Sequence, residues 1–241
     1  MTIKAIIFDV DGTLADTEDG HRLSFNKAFA ENGLDWNWGA ELYDKLLKVT
    51  GGKERIKYFI ESFLAGFTKP ENLDEFVKHL HKVKTEHYNT MIHEGMIPLR
   101  PGIRQLLADA RNGGIRLAIA TTTSPENVAT LLHQRLGADW ERWFEVIGCG
   151  DIVPHKKPAP DIYFWILEKL GLPAADCIAL EDSENGLRSS LAAGIKTFVL
   201  TNRYTRNQDF SGAAAVFSNL ADLNNFYGVA GLPLPKRQIS V

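Results

Sequence analysis

The chain has 241 residues, 44% hydrophobic and 24% charged, with 27 basic and 30 acidic side chains and a formal charge of −3. That length and balance suit one domain carrying an insertion, or two modest domains sharing a core, and exclude disordered, collagen-like and disulfide-scaffold classes. The slightly acidic balance offers no field for nucleic acid or an anionic membrane surface, so neither is expected as a partner.

The first apolar run, Ala5-Ile6-Ile7-Phe8, is β-branched or aromatic at most positions and stops at Asp9-Val10-Asp11-Gly12-Thr13, the profile of a buried parallel strand. It is too short for a signal segment or a membrane span of about 20 residues, which points to a cytoplasmic protein. Residues 15–95 then show no strand-like run. Their pattern predicts helices over 21–31, 40–49, 55–64 and 73–91, a helical insertion entered through Leu14-Ala15-Asp16-Thr17 and left through Glu94-Gly95-Met96-Ile97-Pro98. Trp36 and Trp38 read as apolar core of that insertion.

Beyond it, four runs repeat the character of the first: Arg116-Leu117-Ala118-Ile119-Ala120, Phe144-Glu145-Val146-Ile147, Cys177-Ile178-Ala179-Leu180 and Lys196-Thr197-Phe198-Val199-Leu200. Helices are predicted over 101–112, 125–136, 158–170 and 183–193, several opened by Pro and all followed by Gly (Gly113, Gly137, Gly171, Gly194). Strand alternating with helix predicts an α/β fold, a doubly wound parallel sheet formed by 1–14 and 96–241, with 15–95 inserted. Cys149 and Cys177 read as small buried hydrophobes of a reducing compartment. The last dozen residues, with Gly228, Gly231, Pro233 and Pro235 at or near them, read as a loose tail.

Chemistry concentrates at the strand ends. Asp9 and Asp11 follow the first strand, and an open α/β sheet binds ligands beyond its strand carboxyl ends. A calcium loop counted from Asp9 fails, because positions six and twelve are Leu14 and Gly20. Glu181 and Asp182 end another strand, although Asp182 or Ser183 could equally cap the helix that follows. Carboxylates gathered at about 4 Å repel by about 4 kcal/mol per pair at an effective dielectric of 20, so such a cluster calls for a cation, and hard oxygen ligands suit Mg²⁺.

Thr121, Thr122, Thr123 and Ser124 offer hydroxyls and backbone N–H groups before a helix, serving either as a phosphate cradle or as an ordinary cap. Lys157, just before Pro158, is the candidate site cation, whereas Lys156 reads as a solvated loop lysine. Gly51-Gly52-Lys53 is not a nucleotide loop, since Leu47 stands where its first Gly belongs and Glu54 follows the lysine. The remaining histidines, His79, His81, His87, His93 and His133, have no metal spacing and read as solvated or half-buried.

The set Asp9-x-Asp11-Gly12-Thr13, Thr121, Lys157 and Glu181-Asp182 resembles, in order and strand placement, the four motifs of the haloacid dehalogenase superfamily. The insertion resembles the helical C1 cap of its β-phosphoglucomutase and phosphoglycolate phosphatase subgroup. Thr50-Gly51-Gly52-Lys53-Glu54-Arg55, Leu99-Arg100-Pro101-Gly102 and Glu181-Asp182-Ser183-Glu184-Asn185-Gly186-Leu187 are similar to the CbbY group, xylulose-1,5-bisphosphate phosphatases linked to the Calvin cycle.

The resemblance implies that Asp9 is the nucleophile, ionised without an activating base, and that Asp11 is the acid and base, holding a proton through burial under the cap. It implies that Asp9, the Asp11 carbonyl and Asp182, with Glu181 behind, hold Mg²⁺, and that Thr121, with Thr122 beside it, and Lys157 bind the transferring phosphate. Glu18 and His21 either overhang the site or lie on an ordinary surface helix, and Gly51, Gly52 and Lys53 form the specificity loop. Where β-phosphoglucomutases carry Arg this chain has Lys53. The expectation is therefore a monomeric sugar-phosphate phosphatase, with a phosphomutase or a non-enzymatic phospho-receiver as alternatives. Tyr204-Thr205-Arg206 resembles the CbbY tail, with no role legible from sequence.

Overall fold

The structure, a computed structural model, describes residues 2–233. Six parallel strands, β1 (Ala5–Phe8), β2 (Arg116–Ala120), β3 (Val146–Gly148), β4 (Cys177–Glu181), β5 (Lys196–Leu200) and β6 (Ala215–Phe217), lie in the order β3-β2-β1-β4-β5-β6. β1 is central because it alone is apolar at every position and fully buried.

The strand period of two divides the core. Ile6, Phe8, Leu117, Ile119, Ile178 and Leu180 face one apolar cluster, while Ala5, Ile7, Ala118, Ala120, Cys177 and Ala179 face the other. The smaller residues admit α7 (Asp161–Leu170) through Ile162, Tyr163 and Ile166, and the larger ones meet α5 (Ile103–Asn112), α6 (Pro125–Leu136) and α9 (Leu223–Ala230).

Four helices, α1 (Glu18–Glu31), α2 (Ala40–Leu46), α3 (Gly52–Phe63) and α4 (Leu73–His93), follow β1. Phe25, Phe29, Trp36, Trp38, Tyr43 and Phe59 build their own aromatic cluster, as expected for the tryptophans. The segments entering and leaving this unit are bridged to each other: Ala15 pairs antiparallel with Leu99, and Arg100 N donates to Leu14 O at 2.9 Å. Buried Arg100 also donates to the carbonyls of Gly12, Leu200, Thr201 and Ser218, holding the ends of three strands together. Among the described residues no helix is long and apolar enough to cross a membrane.

Several boundaries differ from expectation for local reasons. Pro125 does open its helix, but α5 starts at Ile103 because Gly102 is left-handed at φ 84°, and α7 starts only at Asp161. Gly52 and Lys53 are the first residues of α3 and not part of a turn, since a helix start leaves its N–H groups unpaired and tolerates Gly. α8 (Glu184–Ala192) is capped by Ser183, whose Oγ accepts from Gly186 N, which leaves Asp182 free of capping. β6 and α9 were not expected. α9 contains Gly228 and is closed by Gly231, both expected in or beside a loose tail, and Pro235 lies outside the described residues. Both cysteines are free.

Candidate active site

Because all strands are parallel, their carboxyl ends meet at one edge, and that edge gathers Asp9, Glu181 and Asp182. One carboxylate oxygen from each lies within 4.8 Å of the others, and all three side chains are buried. Lys157 Nζ lies 2.7 Å from Asp9 Oδ1 and 2.6 Å from Glu181 Oε1, and donates to Ala120 O at 2.8 Å. Burial opposes its charge, but the Asp9 and Glu181 carboxylates outweigh burial and keep the ammonium protonated. Tyr163 OH donates to Glu181 Oε1, and Asn202 Nδ2 donates to Asp182 Oδ2 at 2.7 Å.

Asp9 and Asp182 are too deeply buried and too close together to be content as anions with one lysine. Burial pushes Asp9 up to about 7 against the pull of Lys157, so the protein's own groups do not by themselves keep the expected nucleophile fully ionised at neutral pH. Burial and the Asp9 charge raise Asp182 well above the carboxylate range. Glu181 Oε2 is buried without a partner. An orphaned oxygen and two raised carboxyls in an all-oxygen set fit a hard divalent cation, which would reverse the local pKa logic.

Local backbone supports this packing. Gly12 stands at φ 78°, and a Cβ there would collide with the Asp182 carboxylate. A Cβ on Gly186, in the first turn of α8, would collide with Glu181.

Asp11 faces a different set of partners. His21 Nε2 is 2.9 Å from its Oδ1, Thr123 Oγ1 donates to its Oδ2, and Lys84 Nζ is 2.7 Å from His21 Nδ1. A lysine ammonium can only donate, so His21 accepts at Nδ1 and presents Nε2–H to Asp11. Burial and the Lys84 charge hold the imidazole below its ordinary pKa, in keeping with a neutral ring. Burial pushes Lys84 itself down to about 7. The expectation that burial keeps Asp11 protonated is corrected here: burial does push it up, but the His21 contact and the Lys84 charge outweigh that and leave it below the usual carboxylate value.

Above these groups lies a cavity of about 440 Å³. It is lined by Asp9, Asp11, Glu18, His21, Gly51, Gly52, Lys53, Thr122, Lys157, Glu181 and Asp182, so the structure brings nearly every predicted site residue to one space. Thr121 is the exception. It is buried below the lining, where its Oγ1 accepts from Thr123 N at 3.2 Å. Glu18 and His21 lie on the buried face of α1, and Glu18 Oε2 accepts from Tyr43 OH at 3.0 Å.

Lys53 Nζ is 3.0 Å from Asp151 Oδ2, and Lys156, expected to be solvated, bridges Asp151 and Glu54 at 3.0 Å each. Sequence reasoning gave no site role to Lys84, Arg55, His81 or Asn202, and offered Thr123 only within the phosphate cradle, not as a partner of Asp11. Lys84 left a signal, because it interrupts the stripe Val77, Leu80, Tyr88, Met91 at helical spacing. Arg55, whose guanidinium donates to Tyr43 OH and Val49 O, left none.

A carboxylate cluster at the edge of a parallel sheet, a buried lysine among it and a helical roof define a phosphate-handling α/β hydrolase. Residues 3–194 match the haloacid dehalogenase-like hydrolase family, and the chain belongs to it. It is 49% identical over 220 residues to the plasmid-encoded protein CbbY of Cupriavidus necator, covering 91% of this chain and 87% of that one. Among solved structures it is similar to CbbY from Rhodobacter sphaeroides in complex with phosphate and to a mutant of that protein in complex with xylulose-(1,5)bisphosphate. Each is 45% identical with a TM-score of 0.86, covering 92% of this chain and 96% of the other. The chain is thus an enzyme, a phosphatase of this family.

Proposed function

We propose that this phosphatase is Mg²⁺-dependent, works through an aspartyl phosphate on Asp9 and takes a pentulose bisphosphate, xylulose 1,5-bisphosphate, as substrate. The observation that carries the reading is charge at two levels of one cavity. The strand ends supply the carboxylate cluster, with Lys157, as its floor, and the inserted helices α3 and α4 supply Lys53, Arg55, Lys78 and Lys82 as its upper wall, with Lys156 of the core lining it too, cations enough for a second phosphate. Arg55, one of these lining residues, keeps its Nε buried without a partner. The complex of the similar R. sphaeroides protein with xylulose-(1,5)bisphosphate supports the same choice.

In this reading residues 15–95 cap a core formed by 1–14 and 96–241. Asp9, Asp182 and the Asp11 carbonyl, with Glu181 behind, would hold Mg²⁺, whose charge offsets the carboxylates and the incoming phosphate. Asp9 attacks phosphorus, and Lys157 with the N–H groups of the 121–124 turn binds the equatorial oxygens as charge spreads onto them. Asp11, a carboxylate at rest, takes up a proton passed from Lys84 through His21, gives it to the leaving sugar oxygen, and so reverts to the carboxylate. A lysine held near 7 is matched to that task at neutral pH. In the second half Asp11, as carboxylate, takes the proton of the water that hydrolyses the aspartyl phosphate.

The deciding experiment is phosphate release over a panel of sugar mono- and bisphosphates with Mg²⁺. Preferential hydrolysis of xylulose 1,5-bisphosphate is expected. Conversion of β-glucose 1-phosphate to glucose 6-phosphate without phosphate release would replace the phosphatase reading by a mutase one.

A further inference from the structure

The loop after β5 carries Tyr204, a core residue whose side chain belongs to the insertion. Every other fully buried member of the aromatic cluster of Phe25, Trp38 and Tyr43 lies between residues 25 and 80, and Tyr204 enters it from 124 positions beyond Leu80, with only 6% of its surface exposed. Its ring meets Tyr43 edge-on, with centroids 5.6 Å apart at 79°, and its hydroxyl donates to Asp19 on α1.

Tyr43 in turn is not passive. Its OH donates to Glu18 Oε2 and accepts from Arg55, each at 3.0 Å, and both partners line the cavity. The other end of the loop is tied to the floor. Asn202 donates from Nδ2 to Asp182, while its Oδ1 accepts from the N–H groups of Tyr204 at 2.8 Å and Thr205 at 3.2 Å. The Thr205 hydroxyl accepts from Asn202 N, which closes the loop on itself.

From this continuity we propose that Tyr204 is a positioning residue. It seats the core loop in the insertion and, through Tyr43, sets Glu18 and Arg55 over the carboxylate floor, with Asn202 fixing the seat relative to Asp182. The physical reason is directional. An exposed ion pair such as Lys53 with Asp151 tolerates many geometries in water, whereas an aromatic ring wedged edge-on with its hydroxyl bonded tolerates few. Tyr204 does not line the cavity, so its effect on turnover runs through Tyr43.

The inference rests on reading the cavity as a sugar-phosphate site, and the test separates the two. Tyr204→Ala and Tyr204→Phe would be assayed with xylulose 1,5-bisphosphate and with p-nitrophenyl phosphate, which has no second phosphate to engage the upper wall. Hydrogen exchange of residues 40–55 would be followed in the ligand-free proteins. For Tyr204→Ala, kcat/KM on the bisphosphate should fall roughly 10-fold or more, mostly through KM, while the aryl phosphate changes less than about 2-fold. Exchange over 40–55 should quicken.

Tyr204→Phe keeps the ring and should recover most of both. Equal losses on the two substrates, or unchanged exchange in Tyr204→Ala, would overturn the positioning role. Wild-type enzyme that hydrolyses the aryl phosphate and ignores the bisphosphate would remove the substrate assignment instead, and the exchange result would still decide whether Tyr204 seats the loop in the insertion.

Discussion

Lys84 Nζ lies 2.7 Å from His21 Nδ1, joining residues 63 positions apart behind the Asp11 carboxylate. Because the buried ammonium fixes which ring nitrogen carries the proton, Lys84→Met should leave His21 free to adopt the wrong tautomer. We expect kcat to fall at least ~10-fold with little change in KM, on sugar and aryl phosphates alike, as for the loss of a group serving acid–base catalysis. Steady-state kinetics on both substrates check this, and a change confined to KM would count against the relay.

Asp9→Asn should abolish turnover without unfolding the protein, since the amide preserves shape and loses the nucleophile. Asp11→Asn should slow the reaction by roughly 10² to 10⁴-fold, the usual range for a lost acid or base. Mass spectrometry of an acid-quenched reaction should find phosphate on Asp9 in the second variant and never in the first.

Mg²⁺ should stabilise the folded protein as well as activate it, because only the native state brings three carboxylates together. At 100 times its dissociation constant a bound ion adds about 2.7 kcal/mol, a rise in Tm of about 5–10 °C for a chain of this size. Asp182→Asn should lose most of that rise, and chelation should abolish turnover. Ca²⁺ should raise Tm yet inhibit, since its looser coordination seats without the octahedral alignment of nucleophile and phosphorus. A Tm indifferent to Mg²⁺ would remove the metal assignment.

His81 predicts a pH effect on stability. Burial, with Lys84, Lys53 and Lys156 nearby, pushes its pKa down to about 3 in the folded chain from 6.5. Between those values the unfolded state binds a proton that the native state refuses, so stability falls as pH falls through the window, by about 1.4 kcal/mol per pH unit per proton. Below the folded value no further loss arises from this group. His81→Gln should show a slope shallower by one proton in urea denaturation across the window. An unchanged slope would mean that His81 is protonated in the native cavity.

Lys53 tests substrate class. Lys53→Ala should cost at least ~10-fold more in kcat/KM on xylulose 1,5-bisphosphate than on a pentose monophosphate, a difference of about 1.4 kcal/mol. Loss of its pairing with Asp151 is common to both substrates and cancels in that comparison.

Much of the fold was legible because a buried parallel strand writes itself as a continuous apolar run. β1, β2 and β5 span the segments read from sequence, and the α/β alternation made their carboxyl ends converge. β6 escaped notice because its three residues, Ala215, Val216 and Phe217, lie partly exposed at a sheet edge, and the short run that holds them is alanine-rich, opening on a residue type depleted in strands. The floor of the cavity was legible for the same reason as the strands: Asp9, Glu181 and Asp182 follow them directly, so knowing where the strands end is knowing where the carboxylates go.

The rest is decided by contacts between segments far apart in the chain, which no local pattern encodes. Lys84 could be noticed as a charge on an apolar stripe, yet that it meets His21, and that this pair pulls the Asp11 pKa down where burial alone would raise it, depends on how α4 packs on α1. Tyr204 reads in sequence as a loop tyrosine, and only the docking of the insertion on the core turns it into part of a buried cluster. Sequence determined which groups stand at the strand ends, because backbone periodicity is local. Tertiary structure decided their protonation and their partners, because desolvation and Coulomb interaction depend on everything packed within a few ångströms, whatever its place in the chain.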